Sequence, residues 1–131
     1  MARLARVTLV VSDYDEAIAW FTERLGFTLL EDRALSETKR WVRLSAGSGS
    51  ELLLARAANE AQAGAVGASA GGRVAFFLET DDFDRDHAAF RARGVEFEEA
   101  PRDESYGRVA VFRDLYGNRW DLVQSSERAS S

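Results

Sequence analysis

Apolar and polar residues follow the same pattern twice along the chain, at the offset of 67 positions that separates Arg6 from Arg73. Residues Arg6–Ser12 read RVTLVVS, and residues Arg73–Glu79 read RVAFFLE. Each run is made of apolar, β-branched or aromatic residues and ends at a polar residue, which is typical of a β-strand. The pattern therefore predicts a strand at the start of each of two repeated modules.

A helix is predicted directly after each of these strands. Apolar side chains recur there at helical spacing, so each helix should have one apolar stripe. The two stripes are Ala17, Ile18, Phe21 and Leu25 in a helix from about Asp13 to Leu25, and Phe83, His87 and Phe90 in a helix from about Asp81 to Arg93. Ser12 or Asp13 can cap the first helix, and Thr80 or Asp81 the second, because these side chains accept hydrogen bonds from free amides.

Further strands complete both modules in the order β-α-β-β-β. They are predicted at Phe27–Glu31, Arg40–Ser45 and Glu51–Arg56, and again at Val95–Glu99, Arg108–Arg113 and Asn118–Gln124. The modules span about residues 3–57 and 73–125 of a single domain, 1–131. An alanine- and glycine-rich connection at 58–72, with a short helical turn around Asn59–Ala63, joins them, and residues 126–131 are predicted to be a frayed tail.

The period of two along a strand predicts which side chains share a face of the sheet. One face should be covered by the helix, and we call the other the open face. The helix-covered set is Val7, Leu9 and Val11 with Val74, Phe76 and Leu78, and the open set is Arg6, Thr8 and Val10 with Arg73, Ala75 and Phe77. The expected architecture is α+β: two βαβββ modules form a curved mixed sheet with the helices outside, and the open faces line one trough.

Composition excludes several classes of function. The 131 residues include no cysteine and one histidine, His87, so neither a sulfur-ligated metal site nor a multi-histidine cluster is expected. His87 itself is predicted to be a partly buried or surface residue of its helix. The net charge of −5 argues against nucleic-acid binding. No apolar run approaches the roughly 20 residues of a membrane helix, and Arg3 and Arg6 interrupt any signal-peptide core, so a cytoplasmic protein without membrane partners is expected.

Three motifs carry a resemblance to a known family. They are the strand-to-helix opening VSDYDEAIAWFTERLGF, the helix exit RARGVEF and the closing hairpin FRDLYGNRWDLVQ. Across roughly Leu4 to Gln124, the chain resembles the vicinal oxygen chelate superfamily, which includes glyoxalase I, extradiol dioxygenases, fosfomycin-resistance enzymes and bleomycin-binding proteins. The resemblance implies a glyoxalase-like fold, but such folds support many functions.

The resemblance also implies four positions where metal-using members place ligands on the strands that face the trough. These positions fall at Arg6, Leu54, Arg73 and Asp121. Histidine or glutamate is the usual occupant, whereas here two positions hold guanidinium groups, which have no lone pair to donate to a metal. The chain is therefore expected to hold no metal and no other cofactor.

The same residues suggest a site for a small ligand. Arg6 and Arg73 can bind carboxylates or phosphates through paired hydrogen bonds, and Asp121 neutralises at most one of them. Phe77 and Trp41 can add an apolar wall for a ring-bearing ligand. In the alternative interpretation, Asp121 pairs with an arginine and merely fills the space that a metal takes in relatives, and each aromatic residue belongs to the core.

Several functions remain open at this point. The preferred prediction is a metal-free binder of an anionic or aromatic small molecule, similar to the bleomycin-resistance proteins, with Arg6, Arg73, Asp121, Leu54, Phe77 and Trp41 as ligand-binding residues. The alternatives are a glyoxalase-like lyase or isomerase, a dioxygenase-family enzyme that uses non-standard residues, and a structural or regulatory subunit whose trough is vestigial. Two modules per chain also suit a homodimer in which modules pair between chains.

Overall fold

In the computed structural model, which describes residues 1–126, the chain forms two units, Met1–Ser69 and Ala70–Ser131. The first unit contains β1 (Arg6–Val11), α1 (Tyr14–Arg24), β2 (Thr28–Ala34), β3 (Arg40–Ser45), β4 (Glu51–Arg56) and α2 (Glu60–Ala65). Its four strands lie in the order β1-β4-β3-β2, with β1 and β4 parallel and the other pairs antiparallel. This is the predicted βαβββ order.

The sequence around α1 explains where the helix begins and how it packs. Asp13 is the N-cap, and its carboxylate accepts a 2.8 Å hydrogen bond from the amide of Glu16. Tyr14, Ala17 and Phe21 are buried on one side of the helix. On the sheet, the buried positions are Leu9, Val11, Val42, Leu44, Leu52 and Leu54, and burial of this apolar set against α1 supplies the core of unit 1.

The second unit contains β5 (Val74–Glu79), α3 (Phe83–Ala92), β6 (Glu96–Phe97), β7 (Arg102–Glu104), β8 (Gly107–Arg113) and β9 (Arg119–Ser125). Its sheet has the order β5-β9-β8-β6, and β7 pairs with the same side of β8 as β6. The unit therefore has one short strand more than the repeat predicted. Ser125, the last residue predicted for the second module, ends β9, and residues 127–131 of the predicted tail lie outside the described residues.

The strand predicted at Val95–Glu99 is interrupted for a local reason. Only Glu96 and Phe97 pair with β8 as a strand. Glu98 still donates its amide to the Val111 carbonyl at 2.9 Å, but the next bond comes from a side chain, since the Glu99 carboxylate accepts the Val111 amide at 2.9 Å. A carboxylate thus takes the place of a backbone carbonyl between β6 and β7.

Capping of α3 also differs from the prediction. The N-cap is Asp82, whose carboxylate accepts the amide of Arg85 at 3.1 Å, so the predictions of Thr80 and Asp81 are wrong. Thr80 instead hydrogen-bonds the Asp86 carboxylate and accepts the amide of Asp82. The helix consequently begins two residues later than the sequence pattern suggested.

An aromatic cluster forms the core of unit 2. Ring centroids lie 4.6 Å apart for Phe76 and Trp120, 5.8 Å for Phe112 and Trp120, and 5.7 Å for Phe90 and Phe112. His87 is half-buried beside Phe97, at 4.5 Å between centroids, and burial lowers the pKa of its imidazole. His87 is therefore a partly buried residue of α3, as predicted, and it does not lie on the open face.

The alanine- and glycine-rich segment predicted as a connection contains the predicted helical turn, which belongs to unit 1. Helix α2 is capped by Asn59, whose side chain accepts the amide of Gln62 at 2.9 Å. Within residues 1–126, no helix has the length and apolar character needed to cross a membrane.

Candidate functional site

The open face of unit 1 carries a network of charged side chains. Arg6 lies opposite Glu51 in the parallel pairing of β1 with β4, and the two side chains form an ion pair at 3.4 Å. Arg43 binds Glu51 at 2.8 Å and Glu31 at 3.0 Å. The Arg43 guanidinium beside Glu51 lowers the pKa of that carboxyl to about 2. We call Arg6, Glu31, Arg43 and Glu51 the unit 1 network; it gives Arg6 a partner that the sequence analysis missed.

Trp41 lies on the same open face. It belongs to β3 and is half-buried, and the guanidinium carbon of Arg6 lies 5.7 Å from the centroid of its ring. A cation at this distance from an indole face is attracted by the ring. Two of the predicted site residues, Arg6 and Trp41, are thus brought together, but they contact each other and the ion pair with Glu51 limits what Arg6 can offer a ligand.

Leu54 does not face the open side, and its prediction as a ligand-binding residue is wrong. It pairs in register with Leu9 and Val42 on the helix-covered face, and it is 1% exposed. The repeat offset of 67 holds between Leu9 and Phe76, but their partners Leu54 and Trp120 are 66 positions apart. An error of one residue moves a side chain to the other face of the sheet.

The open face of unit 2 contains a depression of about 540 Å³. Its lining residues are Gly72, Arg73, Val74, Phe77, Arg119 and Asp121. We call it the Asp121 depression. Three predicted site residues, Arg73, Phe77 and Asp121, therefore lie together, and Arg119 is a neighbour that the sequence analysis did not select.

Two strands position these side chains. Phe77 of β5 is the register partner of Asp121 in β9, so both project from the same face of the sheet. The register shifts between Val74 and Phe76, which places Val74 opposite Arg119 and into the lining. Val74 was predicted to lie beneath the helix, and this prediction is wrong because a β-bulge adds one residue and reverses the alternation.

Asp121 is the unusual group of the depression. It is 7% exposed, and its Oδ1 atom has no hydrogen-bond partner within residues 1–126. Burial raises the pKa of the Asp121 carboxyl, and the nearby charge of Glu99 adds to this, whereas Arg102 and Arg119 oppose it. A buried carboxylate with a free oxygen is costly to keep and is ready to accept a hydrogen bond.

The cations around Asp121 differ in how they are held. Arg119 binds Glu98 at 3.0 Å, and Arg102 binds Glu99 at 3.0 Å. Arg73 is exposed, and the described part of unit 2 gives its guanidinium no ion pair, with Asp121 or with any other carboxylate. The alternative in which Asp121 and Arg73 simply neutralise each other is therefore not what the structure has.

The residues of the depression do not fit a divalent metal ion. Asp121 is its single carboxylate, and the side chains around it include two guanidinium groups, of Arg73 and Arg119. Within residues 1–126, no group of three or more histidine, cysteine, aspartate or glutamate side chains is placed to hold a metal. Guanidinium groups repel a cation and donate no lone pair, so the chemistry of this surface suits an organic ligand.

Replacing Asp121 with asparagine is expected to raise the free energy of unfolding at pH 7 by about 1 kcal/mol, because the charge of a buried carboxylate with an unpaired oxygen is removed. The pKa of Asp121 is higher in the folded protein than in the unfolded chain. Wild type therefore gains stability as the pH falls from the pKa of the folded protein towards that of the unfolded chain, and the stability advantage of the variant shrinks. Urea unfolding at pH 7 and pH 4 measures both effects.

The control for this experiment is Glu23→Gln, which removes an exposed carboxylate from α1. Its stability at pH 7 should stay within about 0.5 kcal/mol of wild type. An Asp121→Asn variant that is less stable than wild type at pH 7 would contradict the cost assigned to the buried charge.

Comparison with known proteins agrees with this fold. The family model of the Glyoxalase/Bleomycin resistance protein/Dioxygenase superfamily matches residues 3–122. The chain belongs to this superfamily, which confirms the resemblance drawn from its motifs and the glyoxalase-like fold class.

Individual relatives cover nearly the whole chain. An uncharacterized protein of Shewanella frigidimarina is 47% identical in an alignment of 128 positions that covers 95% of each chain. The crystal structure of UcmS2 is 30% identical, with a TM-score of 0.80, over 94% of this chain and 98% of that one. TnmS3, an antibiotic binding protein from Streptomyces sp. CB03234, is 28% identical, with a TM-score of 0.76, over 96% and 98% of the two chains.

Proposed function

We propose that this chain is a small-molecule binding protein that holds its ligand in the Asp121 depression without a metal ion. The observation that carries the proposal is the buried Asp121 carboxylate, whose Oδ1 atom has no partner within residues 1–126. Proteins rarely leave such an atom unpaired, because the cost is about 1–3 kcal/mol. A ligand that donates a hydrogen bond to Asp121 would offset that cost.

Phe77 supports the same proposal. Its side chain is 68% exposed, although its neighbour Phe76 on the other face of the strand packs against the ring of Trp120. An aromatic ring next to a depression that also contains charged groups is a common arrangement for a ligand surface. The likeness to TnmS3, described as an antibiotic binding protein, agrees with small-molecule binding.

The two open faces differ, and this favours unit 2 as the ligand site. In the unit 1 network, each arginine has a glutamate within 3.4 Å. In the Asp121 depression, Arg73 and the Oδ1 atom of Asp121 have no such partner among the described residues. A ligand gains more from groups that give up no existing partner when it binds.

Amide chemical shifts measured by nuclear magnetic resonance can test the proposal with a set of small aromatic acids, phenols, amides and amines. We expect binders to shift the amides of residues 72–77 and 119–121. Phe77→Ala should weaken binding by about tenfold, since a ring contact contributes roughly 0.5–1.5 kcal/mol beyond its buried area. The measured quantity is the Kd of each probe.

Leu35→Ala is the matched control, because Leu35 is also an exposed apolar residue but belongs to unit 1. It should leave every Kd unchanged. Binders that shift the amides around Arg6 and Trp41, or whose Kd is insensitive to Phe77→Ala, would show that the Asp121 depression is not the site.

A homodimer remains part of the proposal. Leu29 and Leu30 are exposed apolar side chains on β2, which has one free edge in the order β1-β4-β3-β2 of the described residues. Such a strand can be covered by a second copy of the chain.

A further inference from the structure

We infer that the ligand of the Asp121 depression is an aromatic molecule that carries both an acidic group and a neutral O–H or N–H donor. This inference rests on the proposed function, and it adds the chemical class of the ligand. Each of three side chains, Asp121, Arg73 and Phe77, defines one part of that class.

Asp121 defines the donor. The carboxylate is more than nine-tenths buried, and its register partners on the two neighbouring strands are Phe77 and Val111. With apolar neighbours on both sides, a hydrogen bond to this carboxylate is little screened by water. The ligand must therefore bring an O–H or N–H group to the Oδ1 atom.

The surrounding charges indicate that this donor is neutral. The guanidinium groups of Arg73 and Arg119 line the same depression, and that of Arg102 acts on Asp121 from β7. The facing acidic groups, Glu98 and Glu99, already bind Arg119 and Arg102. A ligand ammonium group would be repelled by Arg73, which has no ion pair among the described residues, whereas a phenol or an amide would not.

Arg73 defines the acidic group. Arg119 is held by Glu98 at 3.0 Å, but no carboxylate of the described residues pairs with Arg73. A guanidinium binds a carboxylate or phosphate through two parallel hydrogen bonds. An acidic group on the ligand would give Arg73 the partner that the described residues do not provide.

Phe77 defines the ring and its distance from the donor. Neighbouring strands of a sheet lie about 4.8 Å apart, and Phe77 of β5 is the register partner of Asp121 in the parallel strand β9. A ring stacked on Phe77 thus lies within direct reach of the carboxylate. The donor should be attached to the ring itself and not through a long linker.

Isothermal titration with matched probes tests this class. The probes are 3- and 4-hydroxybenzoate, which carry both groups, benzoate and phenol, which carry one each, and 4-methoxybenzoate, in which the donor is methylated. We expect a hydroxybenzoate to bind about tenfold more tightly than benzoate, phenol or 4-methoxybenzoate. This comparison uses wild-type protein and does not depend on how any variant folds.

Variants then assign the groups. Asp121→Leu should abolish the difference between the hydroxybenzoates and benzoate, so that their Kd values agree within about twofold. Arg73→Met should abolish the difference between the hydroxybenzoates and phenol. Arg56→Met, which removes an exposed arginine from the end of β4, is the control and should have no effect.

The results separate failure of the ligand class from failure of the proposed function. If all these probes bind the depression within about threefold of one another, or 4-hydroxybenzylamine binds best, the class is wrong and the site stands. The class is also wrong if other aromatic molecules bind the depression and the hydroxybenzoates do not. If no aromatic molecule shifts the amides of residues 72–77 and 119–121, the proposed function itself is wrong.

Discussion

Replacing Gly107 with alanine is expected to lower the free energy of unfolding by roughly 3–5 kcal/mol, because both space and backbone conformation exclude a side chain there. Gly107 begins β8 and has φ of +150°. A Cβ atom at this position would overlap the carbonyl oxygen of Gln124 and lie 3.0 Å from the Cα of Ser125. These are backbone atoms of the paired strand β9, so they cannot turn aside as a side chain would.

Variants at two other glycines distinguish the effect of space from that of backbone conformation. Their stability is measured by urea unfolding followed by circular dichroism. Gly117 has φ of +91°, and a Cβ atom added there would meet nothing within 4 Å, so Gly117→Ala should cost only the backbone strain, about 1–2 kcal/mol. Gly64→Ala in α2 also meets open space and should stabilise the protein by up to about 1 kcal/mol. Equal losses for Gly107→Ala and Gly117→Ala would mean that the close approach to β9 has little effect.

Asp114→Ala is expected to cost about 3–4 kcal/mol, since one buried carboxylate organises the turn between β8 and β9. Its Oδ1 atom accepts the amides of Tyr116 at 2.9 Å and Asn118 at 3.0 Å. Its Oδ2 atom accepts the Asn118 side-chain amide at 3.1 Å and the Trp120 indole N–H at 3.0 Å. Alanine would take this acceptor away from several donors that are buried with it.

Asp114→Asn tests how much each of the two carboxylate oxygens contributes to stability. It keeps one acceptor and should lose roughly half as much free energy as Asp114→Ala. Asp103→Ala is the control, because this exposed carboxylate forms an ion pair with Arg108 at the surface and should cost less than about 1 kcal/mol. Unfolding followed by tryptophan fluorescence measures all three, and a loss for Asp114→Ala no larger than for Asp103→Ala would refute this role.

The repeated pattern predicts the elements of the fold well because burial of one side of a strand or helix produces a regular spacing of apolar residues in the sequence. Strands β3 and β4 have the predicted bounds, and the order of elements in unit 1 is as predicted. Local hydrogen bonding was harder to foresee. Which residue caps α3 depends on where the helix packs against the sheet, and the sequence alone does not distinguish Asp82 from its neighbours Thr80 and Asp81.

In the candidate site, too, some residues were placed correctly from the sequence and others were not. Phe77 was placed on the open face by the period of two along its strand, and Asp121 by the resemblance to the superfamily; the two are register partners. Leu54 and Val74 were misplaced because alternation fails after a shift of one residue, and a repeat offset does not report such shifts. Glu51 was overlooked as the partner of Arg6, although the parallel pairing of the first and last strands of the module places them side by side.

The Glu99 carboxylate that replaces a strand partner in unit 2 also changes what the outer edge of β8 offers to another chain. Strand β8 contains the apolar run Val109–Phe112, which would be a template for a foreign strand if its outer edge were free. Between β6 and β7, an incoming strand would find the Val111 amide already bound to a negative charge. Pro101, next to β7, has no amide to offer it. At this edge of β8, an incoming strand would therefore find one donor fewer than a regular strand offers.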